Sequence, residues 1–284
     1  MFIWLASYPK SGNTLVRSML AAYFFSENGI YEFDQIKNIK QFPNITLFEN
    51  LGINIKNEKE VIKNYIKVQE TFNKKDSIQF LKTHSYLFNI DNHPFTNLNN
   101  TLGVIYIVRD PRNIVTSWAK FANNSVDEAA DIMINTHRFG GDIYNPDKAE
   151  KTLVYMGTWN SNYNSWKSFK PIGKYLLIKY EDLIKDRDLA LRKILKFIYN
   201  LQRTKFKIDQ KKFQNVIETT DFERMKNLEK KDGFFEGKTN TDTGEKIPFF
   251  NLGPKNDWKK LLDSKVRNKI EKAFKKEMKE LNYL

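Results

Sequence analysis

The chain contains no cysteine, so neither a disulfide bond nor a thiolate metal site can form among its 284 residues. It also lacks any run approaching the roughly 20 apolar residues of a membrane-spanning helix, and we expect no integral membrane segment. Residues 1–6 are too short for a secretory signal and have no basic start. Together these absences predict a cytoplasmic protein.

Acidic residues are few relative to basic ones: 34 Asp and Glu stand against 47 Lys and Arg, for a net charge of +13. This excess favours anionic ligands, nucleic acid or anionic surfaces, although a lysine-rich proteome would produce it equally well. The basic residues are scattered and no nucleic-acid motif accompanies them, so we expect no nucleic-acid partner. A non-catalytic binder of an anionic polymer stays open as an alternative.

Short apolar runs alternate with stretches of helical periodicity along the whole chain. This alternation predicts one α/β domain over residues 1–284, with a mainly parallel central sheet flanked by helices. The predicted strands are the apolar run from Phe2 and residues 77–82, 103–108 and 175–180. The predicted helices are 15–23, 34–40, 58–72, 113–118, 126–139, 147–169, 186–201, 211–218 and 265–281. Residues 230–256 have little periodicity and predict a long loop, either a functional lid or disordered.

The first predicted strand runs into a turn with the sequence Tyr-Pro-Lys-Ser-Gly-Asn-Thr, which ends at Thr14. The first N–H groups of the helix that follows have no partner within it and point at the turn. Gly12 lets the backbone approach a ligand closely, Lys10 adds a positive charge, and Ser11 and Thr14 add hydroxyl donors. The turn therefore predicts an anion site.

The turn lacks the spacing of the usual ATP or GTP loop, in which the lysine follows the second glycine. Here Lys10 precedes Gly12 and no earlier glycine is present. An ATP-dependent small-molecule kinase is therefore an alternative that misses both this spacing and a carboxylate for Mg²⁺.

Arg109 follows the most apolar predicted strand, at the end where ligands of open α/β sheets bind. With the nearby hydroxyl of Ser117 it suits a phosphate group. A structural ion pair of Arg109 with Asp110 or Glu181 is an equally open interpretation.

His84 follows another apolar strand and is one of only 3 histidines. A histidine changes protonation near neutral pH, so His84 is a candidate general base, although a lone histidine is more often structural. Lys82 shares its face of the strand, since side chains alternate with a period of two. This pair suits the transfer of an anionic group.

Several motifs occur in order from Ser7 to Lys259, and they resemble the successive motifs of cytosolic-type sulfotransferases that use 3′-phosphoadenosine 5′-phosphosulfate (PAPS). The motifs are Ser7–Thr14, Lys82-Thr83-His84, Ile107–Arg112 with Ser117, Gly157-Thr158-Trp159 with Trp166, Tyr180–Leu183, and Gly253 with Asp257-Trp258-Lys259. The resemblance implies a P-loop-like phosphosulfate-binding loop and in-line transfer of a sulfuryl group from PAPS to a hydroxyl or amine, which leaves 3′-phosphoadenosine 5′-phosphate (PAP).

The resemblance also implies roles for individual residues. His84 would deprotonate the acceptor, while Lys10 and Lys82 would neutralise charge on the bridging oxygen and the sulfuryl group. The residues implied to bind PAPS are Lys10, Ser11, Gly12, Asn13 and Thr14 at the phosphosulfate, Arg109 and Ser117 at the 3′-phosphate, Leu15, Tyr180, Thr220 and Phe222 near the adenine, and Gly253 and Lys255. The sequence has no metal-ligand spacing, so we predict no metal.

Two departures from the family pattern bear on cosubstrate binding. Asn251-Leu252-Gly253 stands where many members have Arg-Lys-Gly at the 3′-phosphate, and Lys255 is the candidate replacement. Leu15 stands where many members have a tryptophan beside the adenine. The expected acceptor is a small molecule, a lipid or a saccharide, held by the loops at 28–57, 85–101, 120–150 and 230–250.

Overall fold

The computed structural model describes residues 1–74, 77–135, 154–239 and 244–284. Its strands are β1 (Phe2–Ser7), β2 (Lys40–Gln41), β3 (Gln79–Thr83), β4 (Asn89–Ile90), β5 (His93–Pro94), β6 (Thr101–Val108), β7 (Tyr175–Lys179), β8 (Lys238–Thr239) and β9 (Lys246–Ile247). Five of them form a sheet in the order β2-β3-β1-β6-β7, and each neighbouring pair is parallel.

Helices flank this sheet. They are α1 (Asn13–Phe25), α2 (Ile45–Glu49), α3 (Glu58–Lys63), α4 (Tyr65–Phe72), α5 (Pro111–Ala122), α6 (Val126–Asn135), α7 (Trp159–Trp166), α8 (Tyr180–Lys185), α9 (Arg187–Gln202), α10 (Gln210–Thr219), α11 (Phe222–Asp232), α12 (Trp258–Leu261), α13 (Ser264–Ala273) and α14 (Lys275–Glu280), with 3-10 helices at Phe33–Asn38, Lys167–Phe169 and Gly253–Lys255. The predicted α/β domain with a parallel central sheet is confirmed. Within the described ranges, no helix is long and apolar enough to cross a membrane.

The central strand β1 is buried on both faces, as its continuous apolar sequence indicates. Phe2, Trp4 and Ala6 face one core cluster, and Ile3 and Leu5 face the other. The indole of Trp4 is fully buried and donates to the Thr101 hydroxyl at 2.9 Å. Burial on both faces leaves the ends of the strands as the places where β1 can meet a ligand.

Local capping signals in the sequence set the start of α5. The Asp110 side chain accepts from the backbone N–H of Arg112, and Pro111 occupies the first turn, where its missing N–H leaves no hydrogen bond unmade. Both features fix the chain direction directly after Arg109.

The predicted helix at 147–169 is wrong over residues 154–158, while 147–153 lie outside the described residues. Gly157 has a φ of +66°, which is a left-handed conformation that no helix contains. The Thr158 side chain then caps α7 by accepting from Ser161 N. Trp159, Tyr163 and Trp166, the aromatic residues of α7, are buried.

Other predicted helices are interrupted. The helix at 58–72 divides into α3 and α4 at Asn64, and the helix at 265–281 divides into α13 and α14 at Phe274. Residues 136–139 of the helix predicted at 126–139 lie outside the described residues. In the predicted loop at 230–256, the short β8–β9 hairpin follows the end of α11.

The carboxyl ends of the parallel strands lie together at one edge of the sheet. Ala6 is paired with Thr83, and Ser7 with Ile107, so the segments that follow β1, β3 and β6 leave the sheet side by side. β7 ends beside β6, with Val108 opposite Lys179. Because the chain passes from one side of β1 to the other, this edge is also the topological switch point of the sheet.

Candidate functional site

The turn after β1 exposes backbone donors at the carboxyl edge of the sheet. Gly12 has a φ of +96° and Lys10 a φ of +65°. In the described part of the chain, no backbone carbonyl accepts from the N–H groups of Ser11, Gly12, Asn13 or Thr14. The Ser11 hydroxyl is also buried without a partner. This arrangement has the donors of an anion site at the start of α1.

Asn13 ties the turn to the strand that precedes it. Its Nδ2 donates to the Leu5 carbonyl at 2.9 Å and to Ser7 Oγ at 3.1 Å. Leu15, which was predicted to lie near the adenine, packs within a hydrophobic core cluster. The turn is therefore held by side chains on both of its sides.

Arg109 and Tyr180 complete this part of the edge. The Arg109 guanidinium donates to the Lys10 carbonyl at 3.1 Å and lies 4.1 Å from the centre of the Tyr180 ring. The same ring covers Gly12 so closely that a Cβ added there would lie 2.4 Å from it. The structure thus brings Arg109, Tyr180 and Gly12 of the turn together at one site.

The alternative ion pair of Arg109 with a neighbouring carboxylate is not formed. Asp110 binds the Arg112 guanidinium at 2.7 Å, and Glu181 accepts from Asp110 N and from the Tyr283 hydroxyl. Arg109 Nε is buried and has no hydrogen-bond partner among the residues that the structure describes. A buried guanidinium with an unsatisfied donor is suited to a polyanion.

An open cleft adjoins Arg109, and we call it the cationic cleft; its empty space, with the adjoining open solvent included, is about 480 Å³. Its lining is Lys10, Arg109, Thr116, Ser117, Lys120, Phe121, Phe222, Ile247, Pro248, Phe249, Asn251, Leu252, Gly253 and Asn256. Three of these residues are cationic, none is acidic, and the serine, threonine and asparagine side chains add hydrogen-bonding groups. This chemistry favours a phosphorylated ligand with an apolar or aromatic portion.

Two ammonium groups reach into the lining of the cationic cleft. Lys10 Nζ lies 4.0 Å from the centre of the Phe121 ring and 4.9 Å from that of Phe249. Lys120 Nζ donates to Asn251 Oδ1 at 3.2 Å. Sequence reasoning missed Lys120, although its position one helical turn after Ser117 on α5 was a usable signal.

Not every predicted ligand reaches the cleft. Phe222 and Gly253 line it, and a Cβ on Gly253 would lie 2.2 Å from the Phe222 ring. Lys255 is outside the lining: its side chain is 80% exposed and lies 3.8 Å from Glu223. The Thr220 hydroxyl is buried and donates to the Val216 carbonyl. The structure therefore brings Lys120, and not Lys255, to the cleft.

His84 follows β3 and is fixed against the end of β1. Its Nδ1 lies 2.9 Å from the Ser7 carbonyl oxygen and 3.2 Å from Ser7 Oγ. Because a carbonyl oxygen only accepts, Nδ1 carries the proton and Nε2 has the lone pair. Burial, aided by the charge of Lys82, lowers the pKa of His84 to about 3. The imidazole is therefore neutral at pH 7, as a base must be.

A cluster of polar and charged side chains lies close to His84, and we call it the carboxylate cluster. It consists of Thr14, Arg17, Lys82 and Glu236. Arg17 NH1 lies 2.6 Å from Glu236 Oε1, and Lys82 Nζ lies 3.5 Å from the same oxygen. Thr14 Oγ1 donates to Glu236 Oε2 at 3.4 Å. Neither Arg17 nor Glu236 was identified from the sequence, because Glu236 lies in the stretch that has little periodicity.

The cluster perturbs the charges that it contains. Glu236 has a pKa lowered to about 2 because the charges of Lys82 and Arg17 outweigh its burial. Burial lowers the pKa of Lys82 to about 8, and Glu236 opposes this shift. In the described ranges, no group of three or more histidines and carboxylates could hold a metal ion. Our expectation that no metal takes part stays a prediction.

An anion-binding turn, a cationic cleft and a lysine–histidine pair at one carboxyl edge define the site of an α/β transferase for an anionic group. The family model described as the sulfotransferase domain matches residues 2–282. The chain therefore belongs to the sulfotransferase domain family and is a sulfotransferase, in agreement with the motifs found in its sequence.

Known sulfotransferases match this chain over most of its length. Human sulfotransferase 1E1 is 25% identical, over 97% of this chain and 83% of that protein. Flavonol 3-sulfotransferase of Flaveria bidentis is 24% identical, over 96% of this chain and 80% of that protein.

Solved structures share the fold. Mouse sulfotransferase SULT7A1 complexed with PAP aligns with a TM-score of 0.57 at 19% identity, over 97% of this chain and 83% of that one. Retinol dehydratase in complex with retinol and PAP aligns with a TM-score of 0.62 at 16% identity, over 98% of this chain and 81% of that one. The similarity supports the description of the fold given above.

Proposed function

We propose that the protein transfers the sulfuryl group of PAPS to a hydroxyl or amine of an acceptor by in-line displacement, with His84 as the general base. The observation that carries the proposal is the cationic cleft, whose lining has no carboxylate and which includes Lys10 of the anion-binding turn. Two solved relatives of the same fold hold PAP, which supports this choice of cosubstrate.

The residues present fit the two anionic ends of PAPS. The turn at Ser11–Thr14 offers backbone donors and the buried Ser11 hydroxyl to the phosphosulfate. Arg109, with its unsatisfied Nε, Ser117 and Lys120 offer charge and hydrogen bonds to the 3′-phosphate. Lys120 takes the place that we had assigned to Lys255, because it lies on the cleft. When bound, PAPS supplies an activated sulfuryl group.

His84 is suited to activate the acceptor. As the acceptor oxygen forms its bond to sulfur, its proton passes to Nε2 of His84, and the bond between sulfur and the bridging phosphate oxygen breaks to release PAP. The Ser7 carbonyl accepts from Nδ1–H and keeps the ring in the required tautomer.

Lys10 and Lys82 provide charge on the transferring group. Sulfuryl transfer spreads negative charge over the equatorial oxygens and the leaving oxygen, so fixed cations stabilise the transition state more than the ground state. Lys10 lies on the turn at the cleft, and Lys82 lies at the end of β3 beside His84. In this proposal Lys10 stabilises the leaving oxygen and Lys82 stabilises the sulfuryl oxygens.

The acceptor belongs to the same proposal. Retinol dehydratase binds retinol in one structure and androsterone in another, and a flavonol sulfotransferase is among the relatives. We propose a small-molecule acceptor for this protein, with a lipid or saccharide as further classes to screen. A PAPS-coupled screen over alcohols, phenols, amines, lipids and saccharides would identify it.

Calorimetry with PAP and turnover of a His84→Ala variant test the proposal together. We expect saturable PAP binding by the parent protein, because the cleft and turn are preformed. His84→Ala should keep this affinity within about twofold and lose turnover by about 10²–10⁴-fold, the contribution of a positioned base. No binding at millimolar PAP would refute the cosubstrate, and unchanged turnover would remove His84 as base. Radiolabel from PAPS, and not from ATP with Mg²⁺, should reach the acceptor.

A further inference from the structure

Glu236 lies in the stretch between α11 and β8 and reaches back to α1 and β3. One of its oxygens contacts both Arg17 at 2.6 Å and Lys82 at 3.5 Å, and the other accepts from Thr14. Thr14 and Lys82 are both residues to which we assign contact with the phosphosulfate or the sulfuryl group. A single carboxylate therefore touches two groups of the proposed reaction centre.

This contact differs from a surface ion pair. The side chains of Arg17, Lys82 and Glu236 are 3%, 10% and 18% exposed. In such an environment water screens the charges little, so the position of one charge strongly affects the others. Arg17 is additionally fixed because its NH2 donates to the Ile39 carbonyl. The carboxylate is thus held between an anchored guanidinium and the ammonium of Lys82.

We propose that Glu236 is a positioning residue of the sulfuryl transfer, whose carboxylate, anchored by Arg17, keeps the Lys82 ammonium charged and fixed at the carboxyl edge of the sheet, beside His84. This proposal rests on the proposed function, in which Lys82 stabilises the sulfuryl oxygens. It explains why an acidic side chain enters a site built for an anionic ligand, since a buried lysine without a counter-ion tends to lose its proton.

Among the described residues, the charged and titratable groups that act on Lys82 are Glu236, Arg17 and His84. Burial lowers the pKa of Lys82 to about 8; Arg17 lowers it as well, and Glu236 raises it. Removing the carboxylate leaves burial and the repulsion from Arg17, so the pKa of Lys82 falls further. Lys82 is active when charged, and activity should therefore be lost on the alkaline side at a lower pH than in the parent.

The test compares Glu236→Gln with Glu245→Gln, a matched control at an exposed position directly before β9. The glutamine keeps the shape and an acceptor oxygen for Arg17. We measure kcat/KM for PAPS from about pH 6 to 10, because this parameter reports the free enzyme. The alkaline limb of Glu236→Gln should move down by about one pH unit, equivalent to a tenfold change. The limb of Glu245→Gln should coincide with that of the parent.

Two further measurements separate positioning from a loss of structure. PAP affinity of Glu236→Gln should stay within about twofold of the parent, because PAP lacks the sulfuryl group that Lys82 contacts. Glu236→Asp, which keeps the charge, should restore the limb in part. An unmoved limb, or a loss of PAP affinity in proportion to the loss of activity, would overturn the proposal.

A readout without PAPS separates this inference from the proposed function. The Nζ resonance of Lys82 in ¹⁵N-lysine-labelled protein, assigned by its absence in Lys82→Arg, gives the pKa of Lys82 directly. The titration should move to lower pH in Glu236→Gln and stay unchanged in Glu245→Gln. If it moves while no transfer from PAPS is detected, the proposed function fails and the coupling stands; if it does not move, the coupling is refuted.

Discussion

The cationic cleft and the carboxylate cluster lie around the same turn but differ in how their positive charges are balanced. The cleft gathers Lys10, Arg109 and Lys120 with no carboxylate in its lining, whereas Arg17 and Lys82 of the cluster share Glu236. A region that must bind a highly charged ligand benefits from the field of its cations. A region that must present one cation at a fixed place benefits from an internal counter-ion.

The two regions also differ in what they contribute to the stability of the folded protein. In the cluster, charge is paired within the protein and contributes to the folded state. In the cleft, Arg109 is buried without an ion pair among the described residues and keeps an unsatisfied Nε, which opposes folding until a ligand binds. Substitutions in the cluster should therefore act on stability and turnover, and substitutions in the cleft mainly on cosubstrate affinity.

The largest effect should come from Arg17→Met, which removes the guanidinium partner of Glu236 from the carboxylate cluster. Removing one partner of a buried ion pair lowers the free energy of unfolding by about 3 kcal/mol, as urea denaturation would measure. Lys37→Met, which removes a surface ion pair with Asp34, should change it by less than about 1 kcal/mol. Equal effects of the two substitutions would show that the cluster contributes no more than a surface pair.

The same substitution should change how stability depends on pH. Glu236 has a pKa lowered from 4.5 to about 2 in the folded protein. Its contribution is therefore fully present above the unfolded pKa and is lost as pH falls from 4.5 towards 2. In Arg17→Met the folded pKa rises, and the fall in stability over this window should be smaller.

The next largest effect should be a loss of turnover in Lys82→Met. We expect kcat to fall by about 10²–10³-fold, the usual loss for one preorganised group that stabilises developing charge. PAP affinity should stay close to that of the parent, because the cleft is untouched. A fall in PAP affinity without a fall in kcat would place Lys82 in cosubstrate binding and weaken the division between the two regions.

The smallest effect should come from the cleft, where Lys120→Met is compared with Lys255→Met. Losing one charge-assisted hydrogen bond to the 3′-phosphate should raise the Kd of PAP by about tenfold, with kcat at saturating PAPS unchanged. Lys255→Met should leave Kd within about twofold, because this side chain lies outside the cleft lining. Calorimetry decides between them; the reverse result would restore the role first assigned to Lys255.

Residues that act through their immediate sequence neighbours could be predicted. The strand at 103–108 is apolar because both of its faces are covered, and the cap at Asp110 depends on a contact with Arg112, two residues later. The motifs also identified His84, Arg109 and the turn at Lys10, because each directly follows a strand. For such residues the local sequence contains the physical cause of the structure.

Residues that act across the fold could not be predicted. Glu236 meets Arg17 far along the chain, and no periodicity marks its segment. The helix predicted at 147–169 was wrong over residues 154–158, because Val154, Tyr155 and Met156 are buried equally well in an irregular segment that ends at Gly157. Lys255 was the candidate replacement at the 3′-phosphate, but the direction of its side chain depends on the 3-10 helix at Gly253–Lys255.

The contact of the Tyr180 ring with Gly12 determines when the site can form during synthesis of the protein. During synthesis the anion-binding turn leaves the ribosome before Tyr180, Glu236 and Gly253, which lie far along the chain from it. Domains fold as units once their parts are available. The turn therefore acquires its ring contact, its counter-ion and the wall of its cleft only after these residues have emerged, so a nascent chain that stops before Tyr180 would carry the signature motif without a working site.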